Sequence, residues 1–306
     1  MTHLKVVMYH YVRDVAGTRF PGLKALATDA FRTQVANLKD RFEMASLESA
    51  LAFLSGSYQP SRPLCLLTFD DGLDEHATTV TPVLADAEVE GVFLLPTACM
   101  AHGEVLPVHK NHCLMGNLGF EEYRRRFLAA LAARGEVTEL SEDETAAALK
   151  TYRWDTPEVK AFKYLVNYRI DDAVRVAVLN ELFADVLGDE AAFAKDFYVT
   201  FAQSRHMQDA GMVLGGHTHR HPVLSACTPA RQHDELKTSL GILKEHLSSQ
   251  PRWPFAYPFG KRTTFDGGTL ALLEELGYEC AFTTEVGDAP PGTSRFEIPR
   301  VDTKDV

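Results

Sequence analysis

Short apolar runs alternate with amphipathic stretches along most of this chain of 306 residues. A short, continuous apolar run is typical of a strand buried on both faces, and apolar positions at helical spacing indicate an amphipathic helix. The predicted strands are residues 4–8, 64–69, 92–95, 212–214, 255–257 and 279–282, and the predicted helices are residues 29–39, 75–89, 229–248 and 266–276. Asp29 is the predicted N-cap of the first helix. The alternation predicts an α/β fold with a parallel sheet or barrel.

Residues 103–211 interrupt this alternation with a long segment that is helical throughout. Helical patterns cover residues 120–133, 141–152, 157–165 and 171–187, without strand alternation of any length. Ser141 and Glu144 form a Ser-x-x-Glu capping box at the start of the second of these helices. Because the chain has no internal repeats, low-complexity tracts or Gly/Ser linkers, we expect a single domain over residues 1–306. Its helical insertion, about 103–211, would lie between two barrel strands and form a cap.

Charge and cysteine content exclude several functional classes. The chain has 31 Lys and Arg against 42 Asp and Glu, a net charge of −11 at pH 7. A nucleic-acid-binding surface needs clustered basic residues to neutralise phosphates, and the short run of arginines at 124–126 lies in a helical pattern where a solvated face is expected. The five cysteines are odd in number and form no Cys-x-x-Cys motif. They are predicted to be reduced, mostly buried thiols.

The N-terminal sequence is predicted to be a strand rather than a targeting segment. Its apolar run is too short for a signal peptide and is followed by no small-residue cleavage site. No stretch approaches the roughly 18 apolar residues that a membrane span requires. We therefore expect a cytoplasmic protein without a membrane span, and the sequence leaves its oligomeric state open.

Asp70 and Asp71 stand side by side in the sequence Thr-Phe-Asp-Asp-Gly at residues 68–72. Neighbouring side chains of an ideal strand face opposite ways, so both carboxylates can share a site only where the strand ends. Gly72 permits the turn that this requires. Since α/β folds place their sites at the carboxyl ends of strands, a functional site is expected here, although a turn capped by aspartate fits the motif alone.

A second polar motif, Gly-Gly-His-Thr-His-Arg-His at residues 215–221, follows another predicted strand. His217 and His221 can converge on one metal ion from a turn or from the start of a helix, whereas His219 would point elsewhere. Two imidazoles and one of the aspartates would hold a divalent metal with a position left for water. The remaining carboxylate could then accept the proton of that water. The pattern predicts a metal-assisted hydrolase.

A third segment, Arg-Trp-Pro-Phe-Ala-Tyr-Pro-Phe-Gly at residues 252–260, ends a strand at Pro258 and opens a turn that contains glycine. Such a turn directs backbone N–H groups into a pocket. Taken alone, the segment also fits an ordinary strand exit.

Together, these three motifs resemble the polysaccharide deacetylase family, carbohydrate esterase family 4, with its NodB homology domain. Residues 68–72 match the family's T-F-D-D-G run, and residues 217–221 match its H-[ST]-x-x-H run. Residues 255–260 look like its P-[YF]-G segment, and the sequence Phe-Glu-Ile-Pro-Arg at 296–300 looks like the closing L-x-x-P-R segment of some branches. The resemblance covers about residues 64–301, apart from the insertion.

The resemblance implies a distorted (β/α)7 barrel and a divalent metal held by Asp71, His217 and His221. Zn²⁺ is expected, and Co²⁺, Ni²⁺, Mn²⁺ or Fe²⁺ would suit the same ligands. Asp70 corresponds to the catalytic base. The backbone N–H of Phe259 corresponds to the group that binds the oxyanion, and Tyr257 of the same segment is expected to line the substrate pocket.

The chain departs from the family's pattern in two places. Many members carry an arginine in the third segment to pair with the base, but Ala256 stands there, so Arg300 is the candidate replacement. The family's late Leu-x-His acid is also missing, because no histidine follows His246. The candidates for the general acid are His10, His109 and His112. The sequence around His10 resembles the Y-H-x-V opening of several members, and its neighbour Arg13 is either a contact to an anionic substrate group or part of a structural salt bridge.

The function predicted from these features is hydrolysis of an N-acyl group, most simply N-acetyl, from an amino sugar or from a sugar precursor of a surface polysaccharide. Two alternatives stay open. One is a carbohydrate-binding barrel without activity, and the other is a metal-dependent O-acetyl esterase, whose alkoxide leaving group has less need of an acid. The expected cytoplasmic location and the cap favour a small precursor over a polymer.

Overall fold

A parallel β-sheet forms the centre of the structure. The computed structural model describes residues 2–136, 139–151 and 155–306. The eight strands are β1 Leu4–Tyr9, β2 Glu43–Met44, β3 Leu64–Asp70, β4 Gly91–Leu95, β5 Val213–Gly216, β6 Pro254–Ala256, β7 Cys280–Phe282 and β8 Val301–Asp302. Seven of them follow the order β7-β6-β5-β4-β3-β1-β8, and β2 pairs with β3 off this path. All of the ladders are parallel.

The last segment of the chain contacts both ends of this strand order. Ile298 forms a parallel bridge with Phe282 of β7, and Val301 pairs with Val7 of β1. Short strands, a strand order that runs almost in sequence and this connecting segment are the features of a distorted (β/α)7 barrel. The predicted fold class is confirmed.

The apolar runs become strands because they are covered on both faces. All seven residues of β3 are buried, and successive side chains join different clusters. Cys65 and Leu67 pack in a cluster with the helices outside the sheet. Leu64 and Leu66 pack in a second cluster that also contains Phe282 and residues of β1, β4 and β6.

The chain divides into two compact units. The first unit consists of Met1–Asp14, Ala25–Glu104 and Ala194–Val306, and the second consists of Val15–Lys24 and Val105–Phe193. The helices of the first unit are α1 Thr28–Arg41, α2 Leu47–Leu54, α3 Thr81–Asp86, α4 Thr97–His102, α11 Phe201–Asp209, α12 Pro229–His246 and α13 Gly267–Leu276. The second unit contains α5 Pro107–Leu118, α6 Phe120–Ala132, α7 Glu142–Thr151, α8 Pro157–Tyr164 and α9 Asp172–Leu187, and α10 Glu190–Phe197 crosses the boundary.

The second unit has no strand among its described residues, as predicted for the insertion. The capping box is confirmed, since the amide of Ser141 donates to Glu144 and the amide of Glu144 donates to Ser141 Oγ, at 2.8 Å and 3.2 Å. The predicted end of that helix at Tyr152 lies outside the described residues. The single-domain organisation, with an insertion at 103–211, stays a prediction.

One predicted helix start and one predicted helix end are wrong in detail. Helix α1 begins at Thr28, its N-cap is Ala27, and Asp29 lies within the first turn. There its carboxylate still complements the positive end of the helix dipole. The predicted helix 75–89 has the expected start, since residues 74 and 75 are helical, but it contains a π-helical turn, His76–Val80, and ends at Asp86. No helix of the described chain is both long and apolar enough to cross a membrane.

Candidate metal centre

Asp70 and Asp71 lie where β3 ends, and the backbone turns between them. Asp70 is the last residue of the strand, whereas Asp71 has a left-handed backbone with φ of 81°. The amide of Asp71 still donates to the carbonyl of Leu94 in β4, at 3.0 Å. Gly72 follows with φ of 60°, and a Cβ there would meet the side chain of Leu95 at 3.0 Å. The turn therefore brings both carboxylates to the same end of the sheet.

The histidine loop begins directly after β5. The amide of His217 donates to the carbonyl of Leu95, at 3.1 Å. Thr218 and His221 both have positive φ, 63° and 58°, and the amide of His221 donates to Thr218 Oγ1 at 2.8 Å. The ring of His219 points to Thr97, with Nδ1 at 2.9 Å from the hydroxyl oxygen. The loop thus separates His219 from the other two histidines, as predicted.

Asp71, His217 and His221 come together as a candidate metal site. One potential ligand atom from each residue lies within 4.8 Å of the others. Nε2 of His217 is 3.5 Å from Asp71 Oδ1, and Nε2 of His221 is 3.8 Å from the same oxygen. Two ligands of a tetrahedral zinc ion, each about 2.0–2.1 Å from it, are about 3.4 Å apart. The donor set and its spacing therefore fit a divalent transition metal.

Ala256 orients one of these ligands through its backbone. The carbonyl oxygen of Ala256 lies 2.7 Å from Nδ1 of His217, so Nδ1–H donates the hydrogen bond. The lone pair of His217 is then on Nε2, which faces Asp71. This is the usual arrangement of a metal-binding histidine, because the second hydrogen bond fixes the tautomer and the ring orientation.

Arg300 pairs with Asp70 in a fully buried ion pair. Nη1 and Nη2 donate to the two carboxylate oxygens at 2.8 Å and 2.7 Å, and the exposed fractions of the two side chains are 0% and 2%. Nε donates to the carbonyl of Thr283, and Nη1 also contacts Thr68 Oγ1. Burial raises the pKa of Asp70, but Arg300 and His217 outweigh burial, so the pKa lies below its ordinary value. Arg300 thus pairs with Asp70 in place of the arginine that the third segment lacks.

The third segment approaches the histidine loop through Phe259. Its ring centroid lies 5.1 Å from that of His221, and its backbone has φ of 61°. At Gly260, a Cβ would meet the amide nitrogen of Thr284 at 2.7 Å, so this position requires glycine. Tyr257 is buried, stacks on Phe265 at 3.9 Å and donates its hydroxyl to the carbonyl of Phe296. The side chain of Tyr257 therefore packs in the hydrophobic core.

The remaining candidates lie in three different environments. His10 follows β1, whose register pairs Tyr9 with Phe69, so His10 is next to Asp70 at the end of the sheet. Arg13 forms a bidentate ion pair with Glu75. Of its two predicted roles, this corresponds to the structural salt bridge. His109 and His112 belong to α5 in the second unit, where His109 is fully buried.

Glu235 is a residue of this site that sequence reasoning missed. Its carboxylate, on α12, accepts hydrogen bonds from the backbone amides of His219 and Arg220 at 3.0 Å and 2.8 Å. It therefore holds the middle of the loop that carries the two histidine ligands. A single glutamate on an amphipathic helix carries no signal in the sequence that distinguishes it from a solvated residue.

Comparison with known proteins agrees with the motifs. The family model described as polysaccharide deacetylase matches residues 158–281. This range contains the histidine loop and the third segment but not the paired aspartates, and it begins inside the predicted insertion. A protein of Bacillus subtilis (strain 168) named for the same family, YxkH, is 28% identical over 104 residues. The predicted resemblance to the polysaccharide deacetylases is confirmed.

The aligned part is short in both proteins. It covers 34% of this chain and 36% of the polysaccharide deacetylase YxkH, so the activity of that whole protein does not transfer directly.

Solved deacetylase structures share the fold over nearly the whole chain. The deacetylase PplD of Streptococcus pyogenes, solved with acetate, superimposes with a TM-score of 0.61 and 17% identity, over 98% of this chain and 92% of that chain. IcaB from Ammonifex degensii gives a TM-score of 0.58 and 18% identity, over 100% of this chain and 94% of that chain. The deacetylase domain of BpsB from Bordetella bronchiseptica gives a TM-score of 0.56 and 18% identity, over 98% of this chain and 95% of that chain. These likenesses establish the barrel architecture.

Proposed function

We propose that this protein is a metal-dependent hydrolase that removes an N-acyl group, most simply N-acetyl, from an amino sugar or from a sugar precursor of a surface polysaccharide. One observation carries the proposal. The donor atoms of Asp71, His217 and His221 lie within 4.8 Å of one another, and the residue immediately before Asp71 is Asp70, whose carboxylate is buried. Amide hydrolysis needs a group that polarises the carbonyl and a separate base for water, and the two functions have separate residues here.

The roles of the individual residues follow from their contacts. A divalent cation bound by these three ligands, Zn²⁺ by preference, would polarise the acyl carbonyl and lower the pKa of water. Asp70 accepts the proton of the attacking water. Arg300 keeps that carboxylate ionised before the reaction and fixes both of its oxygens. The backbone N–H of Phe259 donates to the oxyanion that develops on the former carbonyl oxygen.

His10 is the general acid of this proposal. A departing amine must be protonated by an acid that lies within hydrogen-bond reach of its nitrogen. The parallel register of β1 and β3 brings His10 beside Asp70, and its charged form contributes to the low pKa of that carboxyl. His109 and His112, on α5 of the second unit, are the alternatives that mutagenesis tests.

The proposal is tested by acetate release from zinc-loaded protein. The substrates are an N-acetylated glucosamine oligosaccharide, which represents polymers, and a nucleotide-linked N-acetyl amino sugar, which represents precursors. Asp70→Asn is expected to lower turnover about 10²–10⁴-fold, the contribution of a general base, while metal content stays near one ion per chain. Asp71→Asn and His217→Ala are expected to lose both metal and activity.

Asp288→Asn is the control, because Asp288 pairs with Lys5 at the opposite end of β1 and should leave both measurements unchanged. Full activity of Asp70→Asn would contradict the role of Asp70 as base. Failure of the zinc-loaded wild-type protein to release acetate from any N-acetyl or O-acetyl sugar would instead favour the inactive carbohydrate-binding barrel.

A metal-dependent O-acetyl esterase is the second candidate function. The observation in its favour is that the chain has no histidine after His246, where the family's usual acid would be. An alkoxide leaves more readily without an acid than an amine does. The same assay with O-acetylated sugars distinguishes the two functions. A preference for the ester, together with unchanged activity of the His10→Ala variant, would identify the esterase.

A further inference from the structure

His76 is a fully buried histidine near the site to which the proposed reaction assigns no role. Its exposed fraction is 0%, and it is the first residue of the π-helical turn His76–Val80. Nε2 of His76 lies 2.9 Å from the backbone carbonyl oxygen of His10. Because a carbonyl can only accept, Nε2–H donates this hydrogen bond. A π-helical turn within an α-helix is an uncommon distortion that often accompanies a functional site.

Packing alone does not explain a histidine at this position. The ring lies near Phe69 and Phe93, with centroid distances of 5.7 Å and 5.6 Å, so a phenylalanine would suit the same apolar surroundings. Nδ1 is buried without a hydrogen-bond partner among the described residues, and an unsatisfied buried polar atom is costly. Burial lowers the pKa of His76, so the ring is neutral with its proton on Nε2. The contact with His10 is what histidine adds over phenylalanine.

The residue before His76 holds the same segment of chain. One carboxylate oxygen of Glu75 accepts from the amide of Val12 at 3.3 Å and from Nε of Arg13 at 2.7 Å. Residues 75 and 76 together therefore bind residues 10–13 at three points: a carbonyl, an amide and a guanidinium. The turn itself is stabilised by Thr81, whose hydroxyl donates to the carbonyl of His76 at 2.8 Å. The segment after β1 is thus tied to the helix that follows the paired aspartates.

We propose that His76 is a positioning residue, whose hydrogen bond to the backbone of His10 holds the imidazole of His10 at the Asp70 side of the site. In its catalytic aspect the inference rests on the proposed function, because it takes His10 as the general acid. It adds a residue that contacts neither substrate nor metal and that acts only through His10.

The test compares variants of His76 in the zinc-loaded protein. His76→Phe keeps a ring in the same space and removes the donor, and His76→Asn keeps an amide but is too short to reach His10. Both are expected to lower kcat/KM about tenfold, since a small misplacement of a catalytic group costs one or two orders of magnitude. His76→Gln can present an amide N–H near the position of Nε2 and should restore most of the activity.

The matched control is Tyr123→Phe in the second unit. It also removes a buried donor from an aromatic ring, the hydroxyl that donates to Asn111 Oδ1 at 2.6 Å. It should destabilise the protein without changing kcat/KM. A purely structural role of His76 would give the same result, with stability lowered and kcat/KM retained, and would overturn the inference.

A double-mutant cycle with His10→Ala decides whether His76 acts through His10. If it does, His76→Phe costs nothing further in the His10→Ala background. If the double variant instead loses kcat/KM by the product of the two single losses, the inference is overturned. The proposed function stays intact in that case, because His10→Ala and Asp70→Asn would still be impaired.

A measurement that does not depend on activity distinguishes failure of the proposed function from failure of the role proposed for His76. In protein labelled with ¹⁵N-histidine, the ring signals of His10 should shift in His76→Phe, return in His76→Gln and stay unchanged in Tyr123→Phe. If the wild-type protein proves inactive, the proposed function fails, but these shifts would still support the positional role of His76. Unchanged His10 signals in His76→Phe would overturn it in either case.

Discussion

The two units bury charged groups in different ways. In the first unit, Asp70 and Arg300 are both almost fully buried, and each carboxylate oxygen meets one guanidinium nitrogen. In the second unit, Lys110 is buried and pairs with Glu190 at 2.7 Å, but the side chain of Glu190 is 35% exposed. Buried charge alone therefore does not mark a site, since the helical unit has it as well.

The backbone distinguishes the two units more clearly. Five non-glycine residues of the described chain have positive φ, and all of them belong to the first unit. Four of these, Asp71, Thr218, His221 and Phe259, belong to the candidate site. The fifth, Glu88, lies in an exposed turn. Non-glycine residues in the left-handed region cost energy and persist where the surrounding structure requires them, so strain concentrated at strand ends identifies the site.

The largest effect is expected from Arg300→Met. It leaves the carboxylate of Asp70 buried without its cation, which typically costs 3–5 kcal/mol of unfolding free energy. Turnover should also fall about 100-fold, because the base loses its orientation. Urea denaturation and acetate release measure the two effects. A loss below about 1 kcal/mol would show that water reaches Asp70, and the contrast with the second unit would disappear.

Lys110→Met makes the matching change in the second unit. Because Glu190 is partly solvated and still accepts from the amide of Val105 at 2.7 Å, it tolerates the loss of its partner. We expect a loss of about 1–2 kcal/mol with kcat/KM unchanged. A loss equal to that of Arg300→Met would mean that the two ion pairs are equivalent. A fall in kcat/KM would connect α5 to the reaction.

The smallest effects come from relieving backbone strain with glycine. Glu88→Gly should raise the unfolding free energy by no more than about 1 kcal/mol, because the strain relieved, about 1–2 kcal/mol, is partly offset by the entropy of glycine. Thr218→Gly relieves similar strain but removes the hydroxyl that accepts from the amide of His221. Its zinc affinity should fall about tenfold, the cost of losing a supporting contact. Equal zinc affinity in both variants would contradict a role for the Thr218 hydroxyl in holding His221.

Much of the fold was predictable because its signals are local. The buried strands and the capping box at Ser141 follow from the periodicity and from hydrogen bonds between near neighbours. Helix α2 was missed because most of its eight residues are apolar, so no polar face marks a helical period. The π-helical turn at His76 was missed because a single turn of five residues is too short to reveal a change of helical period.

The candidate site was predictable in its ligands but not in its support. Asp71, His217 and His221 stand in motifs whose residue types indicate metal binding. Arg13 had two open alternatives in the sequence, and only the position of Glu75 favours the ion pair. No local pattern indicates that Glu235 binds the histidine loop, because its partners are backbone amides in a different element.

The sequence by itself determined the order of strands and helices, the strand ends that carry polar motifs, and the residue types available for a metal. These depend on periodicity and composition within short stretches of chain. Only the tertiary structure decided that Arg300 meets Asp70, that His10 is held by His76, and that four site residues adopt strained backbone. Those arrangements depend on strand register and on packing between distant segments, which residue preferences do not encode.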